Sequence, residues 1–138
     1  MALARRATRK NEENTRKLAV GIAQLAHNRN AEDIIVLDLR GLSPITDYFV
    51  IGTGTSDRQM RSLADEIEDF GTEIAQKLWK AAGRDAGDWI VMDFVDVVVH
   101  LFNQSMRRYY DLELIWGEAP KVQWRPDGLI QNSSSESQ

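Results

Sequence analysis

The chain has 138 residues, a length typical of one domain with its own hydrophobic core. It contains no cysteine, which excludes disulfides, thiol nucleophiles and cysteine zinc sites and is typical of a reducing, cytoplasmic setting. No apolar run approaches the ~20 residues of a membrane span, so we expect no membrane association.

The net charge of -4 is unevenly distributed along the chain. Residues 1–30 carry seven Lys or Arg against Glu12 and Glu13, a balance of +5, whereas the remaining residues carry ten basic and nineteen acidic side chains, a balance of -9. Nucleic acids are bound mainly through clustered Lys and Arg. The acidic body therefore predicts little direct nucleic-acid binding, and we interpret residues 1–10 as a basic, flexible tail.

Hydrophobic spacing predicts the elements of the first half of the chain. A helix is expected from about Asn11 to about Asn28, because apolar residues recur on one face. Two short apolar blocks, 33–38 and 48–51, predict strands. A second helix should begin at Ser56, and the pattern of residues 78–82 favours its continuation over a further strand.

The second half of the chain predicts a hairpin followed by a short helix. Residues 89–94 and 97–102 are rich in β-branched and aromatic side chains and should pair antiparallel, with an unusual backbone conformation in the turn between them. Residues 103–110 have helical composition, with Asn103 or Ser105 as the cap. The serine-rich end predicts a disordered tail at residues 121–138.

The joint between the second strand and the second helix has some features of a phosphate site. Two glycines permit a tight turn, and Ser56 with Gln59 predicts a capping box at the helix start, where backbone N–H groups often bind phosphate. The segment 52–57, Gly-Thr-Gly-Thr-Ser-Asp, matches neither the dinucleotide fingerprint nor the P-loop, and Asp57 stands where phosphate would bind. A structural joint is favoured, and a phosphate- or nucleotide-binding enzyme using residues 52–58 is the alternative.

The other polar residues do not form a recognisable chemical site. Asp93 and Asp96 are offset by three positions, which places them on opposite faces of a strand, whereas a two-metal site needs an offset of two. His27 and His100 cannot form a zinc cluster alone, and no serine lies in a nucleophile-elbow motif. We predict no catalytic residue, no metal and no cofactor.

Aromatic residues indicate a protein interface. Trp89 opens the predicted hairpin, and Tyr109, Tyr110 and Trp116 bracket an apolar segment. Such rings are enriched in interfaces because each offers a large contact area with a polar group at one end. For each ring, core and interface are equally supported by sequence alone. A dimeric adaptor is therefore a second alternative, and a homodimer stays open.

Three blocks carry a family resemblance. They are Asp-Tyr-Phe-Val-Ile-Gly-Thr-Gly-Thr-Ser (47–56) within residues 33–59, Asp-Trp-Ile-Val-Met-Asp-Phe-Val-Asp-Val-Val-Val-His (88–100) within residues 88–102, and Arg-Arg-Tyr-Tyr-Asp-Leu-Glu-Leu-Ile-Trp (107–116) within residues 107–120. Together and in this order they resemble the ribosomal silencing factor family, also called RsfS or Iojap.

The resemblance implies a fold and a function. The fold is an α/β domain over residues 11–120, with a mixed five-stranded sheet flanked by helices and a topology similar to nucleotidyltransferases without their catalytic site. It also implies a strand at residues 78–82. Family members bind the large ribosomal subunit through ribosomal protein fourteen and sterically block joining of the small subunit, which represses translation during starvation; no enzymatic activity is implied.

The resemblance also assigns partner-binding residues by position. They are Trp89, Asp93, Phe94, Asp96, His100, Tyr110, Leu112, Glu113 and Trp116. Two positions depart from the family pattern, because Val95 stands where a glycine is common and Ala82 replaces the usual glutamate before Gly83.

Overall fold

The computed structural model describes residues 2–109 and 117–125, with side chains described from residue 11 onward. In these residues the chain forms three helices and five strands, in the order α1 (Ala2–Asn28), β1 (Glu32–Asp38), β2 (Tyr48–Thr53), α2 (Asp57–Glu73), β3 (Lys80–Ala82), β4 (Trp89–Asp93), β5 (Val97–Phe102) and α3 (Gln104–Tyr109). Because α1 begins at Ala2 rather than near Asn11, residues 2–10 continue the first helix, where the sequence predicted a flexible tail.

The strands form one mixed sheet with the order β1-β2-β5-β4-β3. β2 and β5 are parallel, and all other neighbours are antiparallel. The α/β class with a mixed five-stranded sheet is therefore confirmed. β5 lies at the centre of the sheet, which explains why its sequence is a nearly continuous apolar run rather than an alternation of apolar and polar residues.

The main hydrophobic core lies between one face of the sheet and the two long helices. Helical spacing directs one side of α1 and one side of α2 toward the strands. The buried residues of these two helices in the core are Leu18, Ala19, Ile22, Ala23, Ala26, Met60, Leu63, Ala64 and Ile67. The opposite face of the sheet is therefore the one on which neither long helix packs.

α2 ends at Glu73, and residues 78–82 do not continue it. Ala75 takes a positive φ of 60°, and the Gln76 N–H donates to the Gly71 carbonyl oxygen at 2.7 Å, the pattern of a Schellman motif. The following strand β3 pairs with β4. The strand implied by the family resemblance is thus confirmed, and the helix favoured by the hydrophobic pattern is wrong.

The β4–β5 hairpin closes through a turn centred on Val95. Val95 has φ 78°, and the Asp96 N–H donates to the Phe94 carbonyl oxygen at 3.0 Å, which makes a three-residue γ-turn. The Val95 N–H donates to the Asp93 carboxylate at 2.7 Å. The predicted antiparallel hairpin with an unusual turn residue is confirmed, and Asp93 has a structural role in that turn.

Residues 119–125 cover the outer edge of β1. The Asp38 N–H donates to the Pro120 carbonyl oxygen and the Val122 N–H donates to the Val36 carbonyl oxygen, each at 2.8 Å. Val122 and Trp124 are buried. The packed domain therefore extends past the predicted boundary at residue 120, because this segment protects an edge strand that would otherwise expose unpaired backbone groups. Residues 126–138 lie outside the described part.

Candidate partner-binding surface

The sheet face opposite α1 and α2 carries a continuous apolar surface. Strand register places Val91 opposite His100 and Phe49 opposite Val98, and paired residues share one face. Trp89 lies on the same side, two residues before Val91 along β4. We call this surface the Trp89 face and define it as Phe49, Trp89, Val91, Val98 and His100.

The Trp89 ring is held by neighbours on β5. Its indole Nε1–H donates to Nδ1 of His100 at 3.1 Å, and its ring stacks on Phe102 with 5.1 Å between centroids. Phe49 meets the other side of the imidazole edge-on at 4.7 Å. These contacts fix the orientation of Trp89 before any partner arrives, which lowers the entropic cost of binding through it.

His100 is a neutral, buried positioning group. Because its Nδ1 accepts the indole proton, the ring proton lies on Nε2, which has no hydrogen-bond partner within the described residues. Burial lowers the pKa of His100 to about 4, since a charged imidazole would lose its hydration there. At neutral pH, His100 therefore supports Trp89 as an acceptor.

The two faces of the sheet differ in exposure, although His100 and Phe102 on the Trp89 side are also buried. Ile90, Met92 and Val99, which point toward the helices, are 0% exposed. Trp89, Val91, Val98 and Phe49 are only half-buried. A group of half-buried apolar side chains around an oriented tryptophan is typical of a protein-binding surface.

The structure brings three of the predicted binding residues to this face and separates others. Trp89, His100 and Asp93 share it, since Asp93 pairs with Val98. Phe94 is 6% exposed in the core on the helix side, against Gly71, and therefore lies apart from the Trp89 face. Asp96 is exposed in the turn.

The remaining predicted residues are Tyr110, Leu112, Glu113 and Trp116, which lie outside the described part of the chain. Sequence reasoning did not find Phe49, Val91 or Val98 as members of the surface. Their signal was the period-two alternation of β4 and β5, which assigns faces once the strands are paired, but the pairing of β2 with β5 joins distant parts of the sequence.

The backbone N–H groups of the turn before α2 donate hydrogen bonds within the protein. Ser56 Oγ accepts from the Gln59 N–H, and Gln59 Oε1 accepts from the Thr55 N–H, each at 3.0 Å. The capping residues were thus predicted correctly, although the returning bond reaches Thr55 rather than Ser56. The Gly54 N–H donates to the Phe102 carbonyl oxygen at 2.7 Å. The backbone N–H groups of Gly54, Thr55 and Gln59 are thus all hydrogen-bonded within the protein, which supports the structural interpretation.

The described residues contain neither a candidate membrane span nor a candidate metal cluster. Within residues 2–109 and 117–125, none of the helices combines the length and apolar character of a bilayer span. In the same residues, no three His, Asp or Glu side chains come together in a group that could hold a metal ion.

Comparison with known proteins decides the family. Residues 12–138 match the model of the RsfS family, described as ribosomal silencing factor during starvation. The chain belongs to the RsfS family. It is 41% identical over 110 residues to the ribosomal silencing factor RsfS of Bacillus subtilis, covering 80% of this chain and 91% of that protein.

The chain is also similar to a protein whose name refers to mitochondria. The chain is 34% identical over 98 residues to mouse mitochondrial assembly of ribosomal large subunit protein 1, covering 69% of this chain and 43% of the mouse protein. A crystal structure of a Chromobacterium violaceum protein superimposes with a TM-score of 0.69 at 28% identity, covering 87% of this chain and 94% of that one. The fold of this RsfS-family chain therefore agrees with an experimental structure of a similar protein.

Proposed function

We propose that this protein represses translation by binding the large ribosomal subunit through ribosomal protein fourteen, with the Trp89 face as the contact, and thereby blocking the joining of the small subunit. Membership of the silencing-factor family supports the regulatory role. The large subunit as partner is supported by the mouse relative, whose name refers to assembly of that subunit.

The observation that carries the proposal is the fixed, half-buried Trp89 ring. A tryptophan already held by a hydrogen bond and a stacking neighbour loses little freedom on binding, so the burial of its remaining surface contributes to affinity. Val91 and Val98 extend the apolar surface beside it. Such anchors commonly carry most of the binding energy of an interface.

The charge distribution favours a protein contact over an rRNA contact. Residues 31–138 carry a balance of -9, which repels phosphate groups. A basic protein surface on the ribosome would complement these carboxylates and raise the rate of association. A protein contact is therefore proposed, with rRNA contributing little, and ribosomal protein fourteen is the partner that the family resemblance implies.

The proposed mechanism is steric and needs no catalytic group. A compact domain of this length measures roughly 35 Å across. Contacts between subunits require approach to within a few ångströms, so a domain seated at the joining surface holds the subunits apart. Repression would then last as long as the protein remains bound.

Sedimentation with isolated large subunits, small subunits and joined ribosomes tests the proposal. We expect co-sedimentation with large subunits alone, and a weak dependence on salt because the contact is with a protein. Calorimetry with purified ribosomal protein fourteen should then show direct binding. Equal co-sedimentation with both subunits, or no heat of binding to ribosomal protein fourteen, would contradict the proposal.

A further inference from the structure

A groove runs between α1 and α2 on the side of the domain opposite the Trp89 face. Its volume is about 610 Å³. The α1 wall extends from Lys17 to Asn28, about 16 Å along the helix axis. We call it the α1–α2 groove, and the lining residues that matter most are Val20, Leu25, Glu66, Asp69, Phe70 and Glu73.

The floor of the α1–α2 groove is apolar and only partly covered. Val20, Leu25 and Phe70 pack against the core but stay partly exposed. Phe70 packs directly on the α1 backbone because residue 21 is a glycine, and a Cβ atom at that position would collide with the Phe70 ring. Apolar surface of this kind favours an occupant that also has an apolar face.

The α2 wall of the groove is acidic. The second half of α2, from Asp65 onward, carries five carboxylates and no Lys or Arg. Arg84 pairs with Asp65 at 3.1 Å and with Glu68 at 2.9 Å. Arg29 pairs with Glu66 at 2.7 Å. Three of the five carboxylates are therefore neutralised within the protein.

Asp69 and Glu73, the other two, line the groove and form no ion pair within the described residues, not even with Lys17 on the facing wall. They are four positions apart, so they share a face of α2 and repel each other. Both lie near the C-terminal end of the helix, where the helix dipole disfavours negative charge, and the last turn has no basic residue to offset it. A local arrangement that costs a helix stability is typical of a binding site.

The charges distinguish between possible occupants. Carboxylates repel the phosphates of nucleic acids. The body of a second copy is acidic too, with a balance of -9 over residues 31–138. A basic amphipathic helix fits best, because residues three and four apart on one face can place apolar side chains on the floor and Lys or Arg at the acidic wall. A helix also packs well between two others, since its ridges fit the groove that they form.

We propose that the α1–α2 groove binds a basic amphipathic helix of a partner protein, over about three helical turns. Apolar side chains of that helix pack against Val20, Leu25 and Phe70. Its Lys or Arg side chains pair with Asp69 and Glu73. The proposal does not depend on ribosome binding. Because the groove lies opposite the Trp89 face, the protein can hold this second partner while it is bound through the Trp89 face.

A model peptide tests the proposed recognition. The probe is a blocked helical peptide of about fourteen residues made of Leu and Lys, with Leu along one face. A peptide with Glu in place of Lys, and a Leu/Lys peptide of scrambled order, are the peptide controls. In NMR titrations of the full chain, the Leu/Lys helix should shift the methyl signals of Val20 and Leu25 but not those of Val91 and Val98 on the Trp89 face. At equal concentration, neither control peptide should shift the groove signals.

Two pairs of charge variants separate the groove from the net charge of the protein. Asp69→Asn combined with Glu73→Gln should weaken binding of the Leu/Lys helix about tenfold at low salt, because both proposed ion pairs are lost. Glu32→Gln combined with Glu118→Gln is the matched control, since it removes the same charge from exposed positions outside the groove. This control pair should change the Kd by less than about twofold.

Several results would overturn the proposal. Groove signals that do not respond to the Leu/Lys helix, or respond equally to the Leu/Glu peptide, would exclude a basic helix as the occupant. Equal weakening by the two variant pairs would show that only net charge matters. Shifts of the Val20 and Leu25 signals on dilution without peptide would assign the groove to a second copy. Shifts of the same signals on ending the chain after Arg125 would assign it to the end of the chain itself.

Discussion

The indole nitrogen of Trp89 donates a hydrogen bond to Nδ1 of His100 at 3.1 Å, across the antiparallel pair β4 and β5. His100 is 8% exposed and neutral, whereas Trp89 is half-buried. His100 thus supports Trp89, and Trp89 is the side chain that a partner can contact. This division of roles gives separate predictions for binding and for stability.

Replacement of Trp89 should weaken binding to large ribosomal subunits. Trp89→Ala removes the proposed anchor, and we expect a loss of about 2 kcal/mol, or roughly thirty-fold in Kd. Trp79→Ala is a matched control. Trp79 directly precedes β3, is 64% exposed and lies outside the Trp89 face. Sedimentation or fluorescence titration measures both. An unchanged Kd for a folded Trp89→Ala protein would remove this residue from the interface.

His100 should make the protein less stable in mild acid. Its pKa is about 4 in the folded state against 6.5 for the ordinary side chain, so the unfolded chain binds a proton more readily between these values. The stability contribution is complete above pH 6.5 and is lost as the pH falls toward 4. Between pH 7 and pH 5 we expect a loss of about 2 kcal/mol from this group.

Urea unfolding of the wild-type protein and His100→Gln at both pH values isolates this effect. Glutamine can still accept the Trp89 proton but does not titrate. The variant should therefore lack the loss of about 2 kcal/mol. Parallel pH dependence in the two proteins would show that His100 is not the responsible group. Burial and the nearby Asp96 raise the pKa of Asp47, which therefore also contributes to the pH dependence of stability. Asp47 is present in both proteins, so its contribution cancels in the comparison.

The two ends of α2 show what the sequence can and cannot predict. Ser56 and Gln59 marked its start correctly, because capping is local chemistry. Its end was missed because Ala75, with φ 60°, occupies the position where glycine usually signals a stop. The apolar pattern continued past it, and a three-residue strand such as β3 is too short to show its own period.

The candidate site was predicted only in part for a similar reason. Trp89 and His100 could be named because they lie in one local hairpin, and the family resemblance assigned them together. Phe49 joins them through the parallel pairing of β2 with β5, which no local pattern reveals. Burial of Trp124 likewise depends on pairing with a strand some ninety positions earlier, since it contacts Ile34.

Glycine at position 95 should stabilise the protein. Val95 has φ 78° and is 52% exposed, so its branched side chain strains the turn and gains little from burial. Val95→Gly should raise the free energy of unfolding by about 1 kcal/mol. Val95→Ala keeps a Cβ atom and should gain less. Denaturant unfolding compares the three proteins, and a less stable glycine variant would disprove strain at this turn.

Trp124 should be essential for stability although it lies past the predicted end of the domain. It is 3% exposed, and its ring lies 5.6 Å from His27. Trp124→Ala should cost about 3–5 kcal/mol because it leaves a large cavity beside α1. Glu118→Ala, at an exposed position of the same segment, should change stability by less than about 0.5 kcal/mol. Equal stability of both variants would mean that residues 121–125 do not pack on the domain.

Subunit joining, followed by light scattering, directly tests the proposed silencing mechanism. Large subunits incubated with the wild-type protein should fail to join added small subunits. Large subunits incubated with Trp89→Ala at the same concentration should join them. Trp79→Ala should behave as the wild type. Normal joining in the presence of saturating wild-type protein would contradict the proposed silencing mechanism. Inhibition by Trp89→Ala equal to that by the wild type would contradict the Trp89 face as its contact.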